Sequence, residues 1–432
     1  MIKLYGSILV LLIGCWSVCS GQINEQLTLS KAVQQGLAQD SAVTRAALAE
    51  IISTKGVGLA QAAYKPRLEA QLGTLYTSSS LSPTADQQPS FLGANAIWEH
   101  KALLVLTGEI DTSGRLGASL AKSEAQLNEA SADTRIARLD LGLLLAQAYL
   151  DACFASEKRL LDERLLKTTQ DLRTNTELRL EAGEIAAVDL TKARLQESLA
   201  SDQLSQSKTL EETTRQSLFT LLTLAPDCPI ALQKLASLIP SRTDVLSQDG
   251  ERPVLDKIDS QEKAAEADLK LAKSELKPIL NYSLRSGLIT DGFGNSSFPQ
   301  HLGVEGLISL SFPLFDGGSS ALRQEQARLR LEQARLDRRI KERQISFEIR
   351  SARTKLVVAR ERMVELDSRI PEAINNLDVS YARYKAGEAQ IVEVTDAQNS
   401  LTTFSQAYLG ATYDYLSAEL QYQRAKGEIP QL

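Results

Sequence analysis

The chain has 432 residues, of which only 5% are aromatic, and Ala, Leu, Gln, Glu and Arg crowd its long stretches, a composition of long helices rather than of a globular enzyme. A net charge of -6 with no basic cluster argues against a nucleic-acid partner, which needs a positive face. No phosphate-binding loop, nucleophile with a nearby base or metal-ligand spacing is legible, so the chain reads as a non-enzyme with no cofactor and no metal.

Residues 1–21 carry Lys3, an apolar run from Leu4 to Ile13 and then small residues, the layout of a secretory signal. The protein is therefore read as exported. Leu12-Ile13-Gly14-Cys15 also fits a bacterial lipobox, in which Cys15 becomes the lipidated N-terminus; the alternative is ordinary cleavage near Ser20 or Gly21. Cys153 and Cys228 survive processing either way. An oxidising compartment permits a disulfide between them, and two small apolar fillers is the plainer reading.

Ser30 offers a helix cap, and Ala-rich helical sequence runs to about Tyr64, where Pro66 stops it. The segment that follows alternates, with Leu68, Ala70, Leu72, Thr74 and Tyr76 on one parity and Arg67, Glu69, Gln71 and Gly73 on the other, so it predicts a strand with one apolar face. After the polar loop 78–96, the segment 97–108 is less decisive, because Leu103 to Leu106 is apolar on both parities. The turn Asp111-Thr112-Ser113-Gly114 leads into a stretch with no helix breaker before Ala182-Gly183-Glu184; as one helix it would be about 100 Å long. The return helix from Leu190 has a less regular seam. Pro226, Pro229, Pro240 and Pro253 mark a linker over 226–253.

The second half repeats the plan. Leu280, Tyr282, Leu284 and Leu288 face Asn281, Ser283 and Arg285, and Val304, Ile308, Leu310 and Phe312 face Glu305, Ser309 and Ser311. A long helix follows, in which Pro371 is expected to produce a kink, up to the turn Ala386-Gly387-Glu388. Its return helix carries Val394, Ala397, Leu401, Phe404, Tyr408, Ala411, Tyr415, Ala418 and Tyr422 at alternating steps of three and four, a heptad seam that predicts an antiparallel coiled coil. Lys65-Pro66 and Lys277-Pro278 open equivalent strands, and the two Ala-Gly-Glu tripeptides close equivalent helices. We read an internal duplication, with repeats over 22–225 and 254–432 and the linker between them.

No stretch after the signal reaches the roughly 18 to 20 apolar residues of a spanning helix. Four strands of about 10 to 13 residues with a lipid-like face instead suit a membrane barrel. Four strands cannot close one, and hydrocarbon does not tolerate an open sheet edge, so other copies of the chain must complete it. Two copies give eight strands and a filled interior; three give twelve and room for a lumen. Trp98, Phe293 and Phe298 at one end and Phe312 and Phe315 at the other fit aromatic girdles, with ordinary packing as the competing account. His100 and His301 read as surface residues at strand ends.

The helix ending in Lys65-Pro66, the turn 312–318 and the segment Tyr381-Ala382-Arg383-Tyr384-Lys385-Ala386-Gly387-Glu388 followed by Val392-Glu393-Val394-Thr395-Asp396-Ala397-Gln398 give the chain its resemblance to the TolC-like outer membrane efflux proteins. It covers essentially the whole mature chain. The resemblance implies an α+β membrane protein, a homotrimer whose 12-stranded β-barrel in outer-membrane lipid continues into a periplasmic α-helical barrel. It further implies a passive exit duct of a tripartite efflux pump, whose closed tip is opened by a periplasmic adaptor and an inner-membrane transporter. A type I protein secretion duct is the nearest alternative, and a periplasmic coiled-coil scaffold that forms no pore is the alternative of another class.

The same resemblance places Asp396, Glu393 and Asp189 at the tip as carboxylate rings that constrict the lumen and select cations. A solvated helix face is the plain reading of the same residues. It makes Tyr384 a residue that holds the tip closed through a hydrogen bond, against a seam aromatic. Gly183, Glu184, Gly387 and Glu388 fall in the adaptor-facing turns. Where some relatives carry Arg two residues after the turn glycine this chain has Ala389, with Arg383 or Lys385 as substitutes for that lock.

Overall fold

A computed structural model describes residues 26–76, 98–225, 230–240, 252–290 and 302–429. The signal segment with Cys15, the second cysteine Cys228, Phe293, Phe298 and His301 lie outside the described residues. In chain order come β1 (Gln26–Leu27), α1 (Leu29–Gln39), α2 (Ser41–Ala62), β2 (Arg67–Tyr76), β3 (Trp98–Ile110), α3 (Arg115–Glu181) and α4 (Ala187–Leu222). Then follow β4 (Ala231–Leu232), a 3-10 turn over Leu235–Leu238, α5 (Pro253–Ser274), β5 (Ile279–Thr290), β6 (Leu302–Ser311), α6 (Ser319–Lys385) and α7 (Ile391–Lys426). The duplicated order of helix, two strands and a long helical hairpin is as expected.

Two local expectations are corrected. The first cap is Thr28, whose hydroxyl accepts from the Lys31 N–H at 3.3 Å, two residues before the expected Ser30. The single helix expected up to Tyr64 is divided at Asp40, which is extended and whose carboxylate takes the Ala42 N–H at 2.5 Å to start α2. Pro371 stands inside an unbroken α6.

The chain forms two compact units. One, residues 47–133 and 254–341, holds the antiparallel sheet in the order β2-β3-β5-β6. Its register sets every apolar parity on one face: Leu68 opposite Leu106, Leu106 opposite Leu284, Tyr282 opposite Ile308, Leu280 opposite Leu310. Most of that face is bare, with Leu72 at 83% and Ile308 at 75% exposure, although Leu288 is buried. The opposite face mixes polar residues with Leu75, Leu103 and Leu307 and carries ion pairs such as Arg285–Glu305 at 3.6 Å. Pairing also decides the ambiguous run of β3. Leu104 and Leu106 join the apolar face, while Val105 turns the other way and is buried. Two glycines make close approaches possible. A Cβ on Gly108 would strike the Tyr282 ring that lies over it, and one on Gly287, at φ 153°, would stand 2.1 Å from the Ala102 carbonyl. Trp98 packs on Tyr76 at 4.7 Å and beside His100, whose Nδ1 bonds the Thr74 hydroxyl at 3.0 Å; Phe312 and Phe315 are exposed beyond the other end of the strands.

Equivalent turns launch the two long helices. The Asp111 carboxylate accepts the Leu116 and Gly117 N–H groups at 3.2 and 2.9 Å. Asp316 accepts the Gly318 and Ser320 N–H groups and the Ser319 hydroxyl, all within 3.0 Å. Each carboxylate satisfies orphan donors and faces the positive end of a helix dipole.

The other unit, residues up to 46, 134–253 and 342–432, holds the main core. Leu29, Leu145, Leu150, Leu218, Leu235, Leu416 and Leu420 are buried there with Tyr149. The linker enters it through Leu235 and Leu238, and β4 pairs in parallel with β1. Tyr149 ties this corner together, donating to the Leu27 carbonyl at 2.5 Å and accepting the Gln233 N–H at 3.2 Å. Cys153 packs beside it as an apolar filler, and burial pushes its thiol up to about 12. An 18-residue window of α3 does reach a mean hydropathy of 1.2, contrary to the expectation that no later stretch is so apolar, but 61% of it is buried inside the fold. Most of its side chains face protein.

The seam of α7 is covered along its length, and Leu409, Thr412, Leu416 and Leu420 widen it. The α4 seam proves more regular than its sequence suggests. Leu190, Ala193, Ala200, Leu204, Ser207, Leu218 and Leu222 are buried, and the skipped heptad positions hold Glu197 and Glu211. Those carboxylates meet Arg173 at 2.7 Å and Arg159 at 2.6 Å on α3, so charge pairs occupy what an apolar residue would fill.

Candidate gate at the hairpin tips

Both tips end their first helix in the same way. Gly183 and Gly387 take φ of 73° and 78°, which a side chain would strain. Gly183 N–H bonds the Leu180 carbonyl and Glu184 N–H that of Arg179; Gly387 bonds Tyr384 and Glu388 bonds Arg383. This is the doubly bonded helix end of the Schellman type, built twice from the same tripeptide. Neither return helix has a side-chain cap, since Ala186 and Gln390 stand there. Asp189 and Glu393 are each the third residue of their helix, where the dipole favours a carboxylate.

The expected gate residues divide into three kinds. Asp396 is exposed on α7, and among the described residues its carboxylate has no ion pair or hydrogen bond. Glu393 is paired with Arg383 at 3.1 Å across the turn, and Asp189 lies 3.9 Å from Lys192. Tyr384 is only 3% exposed and packs with Leu172, Ala193, Ile391 and Val394 in a small core of its own, against which Ala389 also lies. Its hydroxyl is buried and makes no hydrogen bond among the described residues. Its carbonyl does, accepting from Arg179 Nη1 at 2.8 Å. Lys385 sits 4.6 Å from the Tyr381 ring and Arg383 is taken by Glu393, so both candidate substitutes for the missing arginine are engaged within the chain. Glu184 binds Arg179 at 2.9 Å, and Glu388 projects into solvent.

Arg179 is the tip residue that sequence reading missed. Its spacing from Gly183 was visible, but its partner lies in the other repeat. Among the described residues no His, Cys, Asp and Glu cluster could hold a metal ion. The tip offers exposed carboxylates on helix ends, the groups an electrostatic constriction would use.

A four-stranded sheet with a largely bare apolar face, in a chain that also builds two long helical hairpins, defines a protomer of an outer-membrane channel. The model of the family described as outer membrane efflux protein matches residues 32–223 and again 249–428, one match for each repeat, and the chain belongs to that family. It is thus an outer-membrane efflux channel that extends into the periplasm. Solved channels share the fold at low identity. The CusC structure, described in terms of folding and transmembrane channel formation, is 17% identical with a TM-score of 0.80, covering 95% of this chain and 96% of that one. VceC from Vibrio cholerae is 18% identical at 0.80, covering 93% and 96%. The open state of the Neisseria gonorrhoeae MtrE channel is 19% identical at 0.78, covering 93% and 89%. No curated protein sequence matches the chain.

Proposed function

We propose that three copies of this chain form the passive exit duct of a tripartite efflux pump, closed at the hairpin tips and opened there when a periplasmic adaptor and an inner-membrane transporter engage. The observation that carries the reading is the sheet itself. Among the described residues its β2 and β6 edges have no further strand partner, and most of its apolar face is exposed. Unpaired edges in hydrocarbon are so costly that closure with further copies is required, and twelve strands are the smallest number of the two options that leaves a lumen. Exposed apolar side chains on α2 and α6, Leu59 and Leu322 at 74% each, support burial between copies.

At the tip, Asp396 is the lead constriction residue, with Glu393 and Asp189 behind it. Repeated three times around an axis, its unpaired carboxylate makes a ring of like charge that attracts cations and gains from hydration on opening. Tyr384 holds the two hairpins in the closed arrangement, and the turns at Gly183, Glu184, Gly387 and Glu388 are where an adaptor would touch. The solved open state of the MtrE channel supports a duct with more than one state. The two repeats over 22–225 and 254–432 supply the two hairpins.

The test is single-channel conductance of the mature trimer in planar bilayers, with a trivalent cation on the periplasmic side. Small cation-selective steps, blocked in wild type and much less in Asp396→Ala, are expected. Block unchanged by the substitution would move the constriction elsewhere, and absence of conductance from inserted trimer would remove the duct reading.

A further inference from the structure

Arg179 lies in the last turn of α3, four residues before the turn glycine, and its side chain is 20% exposed. Three contacts hold it. Nε donates to the Glu184 carboxylate at 2.9 Å within its own hairpin. Nη1 donates to the Tyr384 carbonyl at 2.8 Å, and the guanidinium carbon stands 4.6 Å from the centre of the Tyr384 ring; both of these cross to the other hairpin. The Tyr384 carbonyl is among the last of α6, at the negative end of the helix dipole, and already takes the Gly387 N–H at 3.1 Å. A cation fills its second lone pair and completes the helix end. The ring face supplies a further attraction for a planar guanidinium. By contrast, the ion pairs Arg383–Glu393, Asp189–Lys192 and Arg173–Glu197 each stay inside one hairpin. Asn175 adds a neutral bond to the Tyr381 hydroxyl at 3.0 Å.

We propose that Arg179 is the clasp that joins the two hairpin tips of one chain, gripping the backbone carbonyl and ring face of Tyr384 rather than its hydroxyl, and that the tip opens by letting it go. The proposal rests on the tip being the gate. Glu184 is its positioning residue: bound to Nε, it turns Nη1 toward the carbonyl. An adaptor that takes the exposed Glu184 carboxylate, or offers Arg179 another acceptor, would release the clasp without touching the lumen.

Single-channel recording on the intact trimer tests this with Arg179→Gln, Glu184→Gln and Arg173→Gln. The last is the control, because it breaks an equally short ion pair in the same helix but inside one hairpin. The open fraction of Arg179→Gln is expected to rise roughly ten-fold over that control, the factor that losing one hydrogen bond to a charged group corresponds to. Block by the trivalent cation persists, since Asp396 is untouched. Tyr384→Ala, which keeps the carbonyl and loses the ring, should open the tip in part, and adding Arg179→Gln to it should gain less than Arg179→Gln gains alone. If Arg179→Gln behaves as Arg173→Gln while Asp396→Ala still relieves block, the clasp is wrong and the gate stands. If Asp396→Ala leaves block unchanged and Arg179→Gln changes nothing, the gate fails and the clasp with it. Should Arg179→Gln not assemble, Glu184→Gln decides, being a change at an exposed side chain: a smaller rise in the same direction supports the clasp, and no rise overturns it.

Discussion

Single atoms carry much of the fold at two places. The Tyr149 hydroxyl is the sole described tie among β1, β4 and α3 that both donates and accepts, bonding the Leu27 carbonyl and the Gln233 N–H. Burial and the neighbouring Cys153 push its pKa up, so it remains a neutral donor. Tyr149→Phe strands two backbone groups, and denaturant unfolding should lose about 1–3 kcal/mol. The second place is Gly287, whose missing side chain lets β5 lie against β3. Gly287→Ala puts a methyl on the Ala102 carbonyl, and heat-resistant oligomer in outer-membrane fractions should fall sharply. Both glycine and tyrosine stand plainly in the sequence, but nothing local says that one meets a backbone carbonyl and the other a strand far along the chain.

Helix entrances and seams belong to the next scale. The Ser320 hydroxyl and N–H, with the Ser319 hydroxyl and Gly318 N–H, hold the Asp316 carboxyl at about 2. A depressed carboxylate stabilises the fold fully above its unfolded pKa, about 4, and loses that contribution as pH falls through the folded value. The stability gap between wild type and Asp316→Asn, followed by thermal unfolding, should therefore be full above about pH 4 and close toward pH 2. The α7 seam was legible because its apolar period is unbroken. The α4 seam was not, because Glu197 and Glu211 interrupt the pattern and only their arginine partners on α3 restore it. Thr28 and Ser30 compete for the same cap within three residues, and the β1–β4 pairing that fixes the chain entering α1 has no local signal.

For the whole molecule the governing fact is an apolar face that one chain leaves bare. Ile308, on that face, and Ser309, on the other, are adjacent residues of β6, both exposed in the single chain. Ile308→Arg should cost about 2–4 kcal/mol near the bilayer midplane and deplete assembled channel in the outer membrane, whereas Ser309→Arg should be tolerated and alter ion selectivity. Equal loss from both would show that β6 has no lipid side. Conduction through the trimer, with block relieved in Asp396→Ala, remains the measurement that joins this face to the tip.

Strand parity, the turn glycines, the duplicated plan and the α7 seam were written in the sequence itself, because each depends on a short period or on a backbone angle that only certain residues tolerate. The same local rules placed Asp396 on an exposed face. Tertiary structure alone decided which parity of Leu103 to Leu106 joins the apolar face, where the charges of the α4 seam find partners, and that Arg179 of one repeat holds Tyr384 of the other. Those outcomes depend on register and on partners in other elements, 24 and 52 residues away for the α4 charges and 205 for Arg179, and a contact of that kind leaves no periodic trace in either segment.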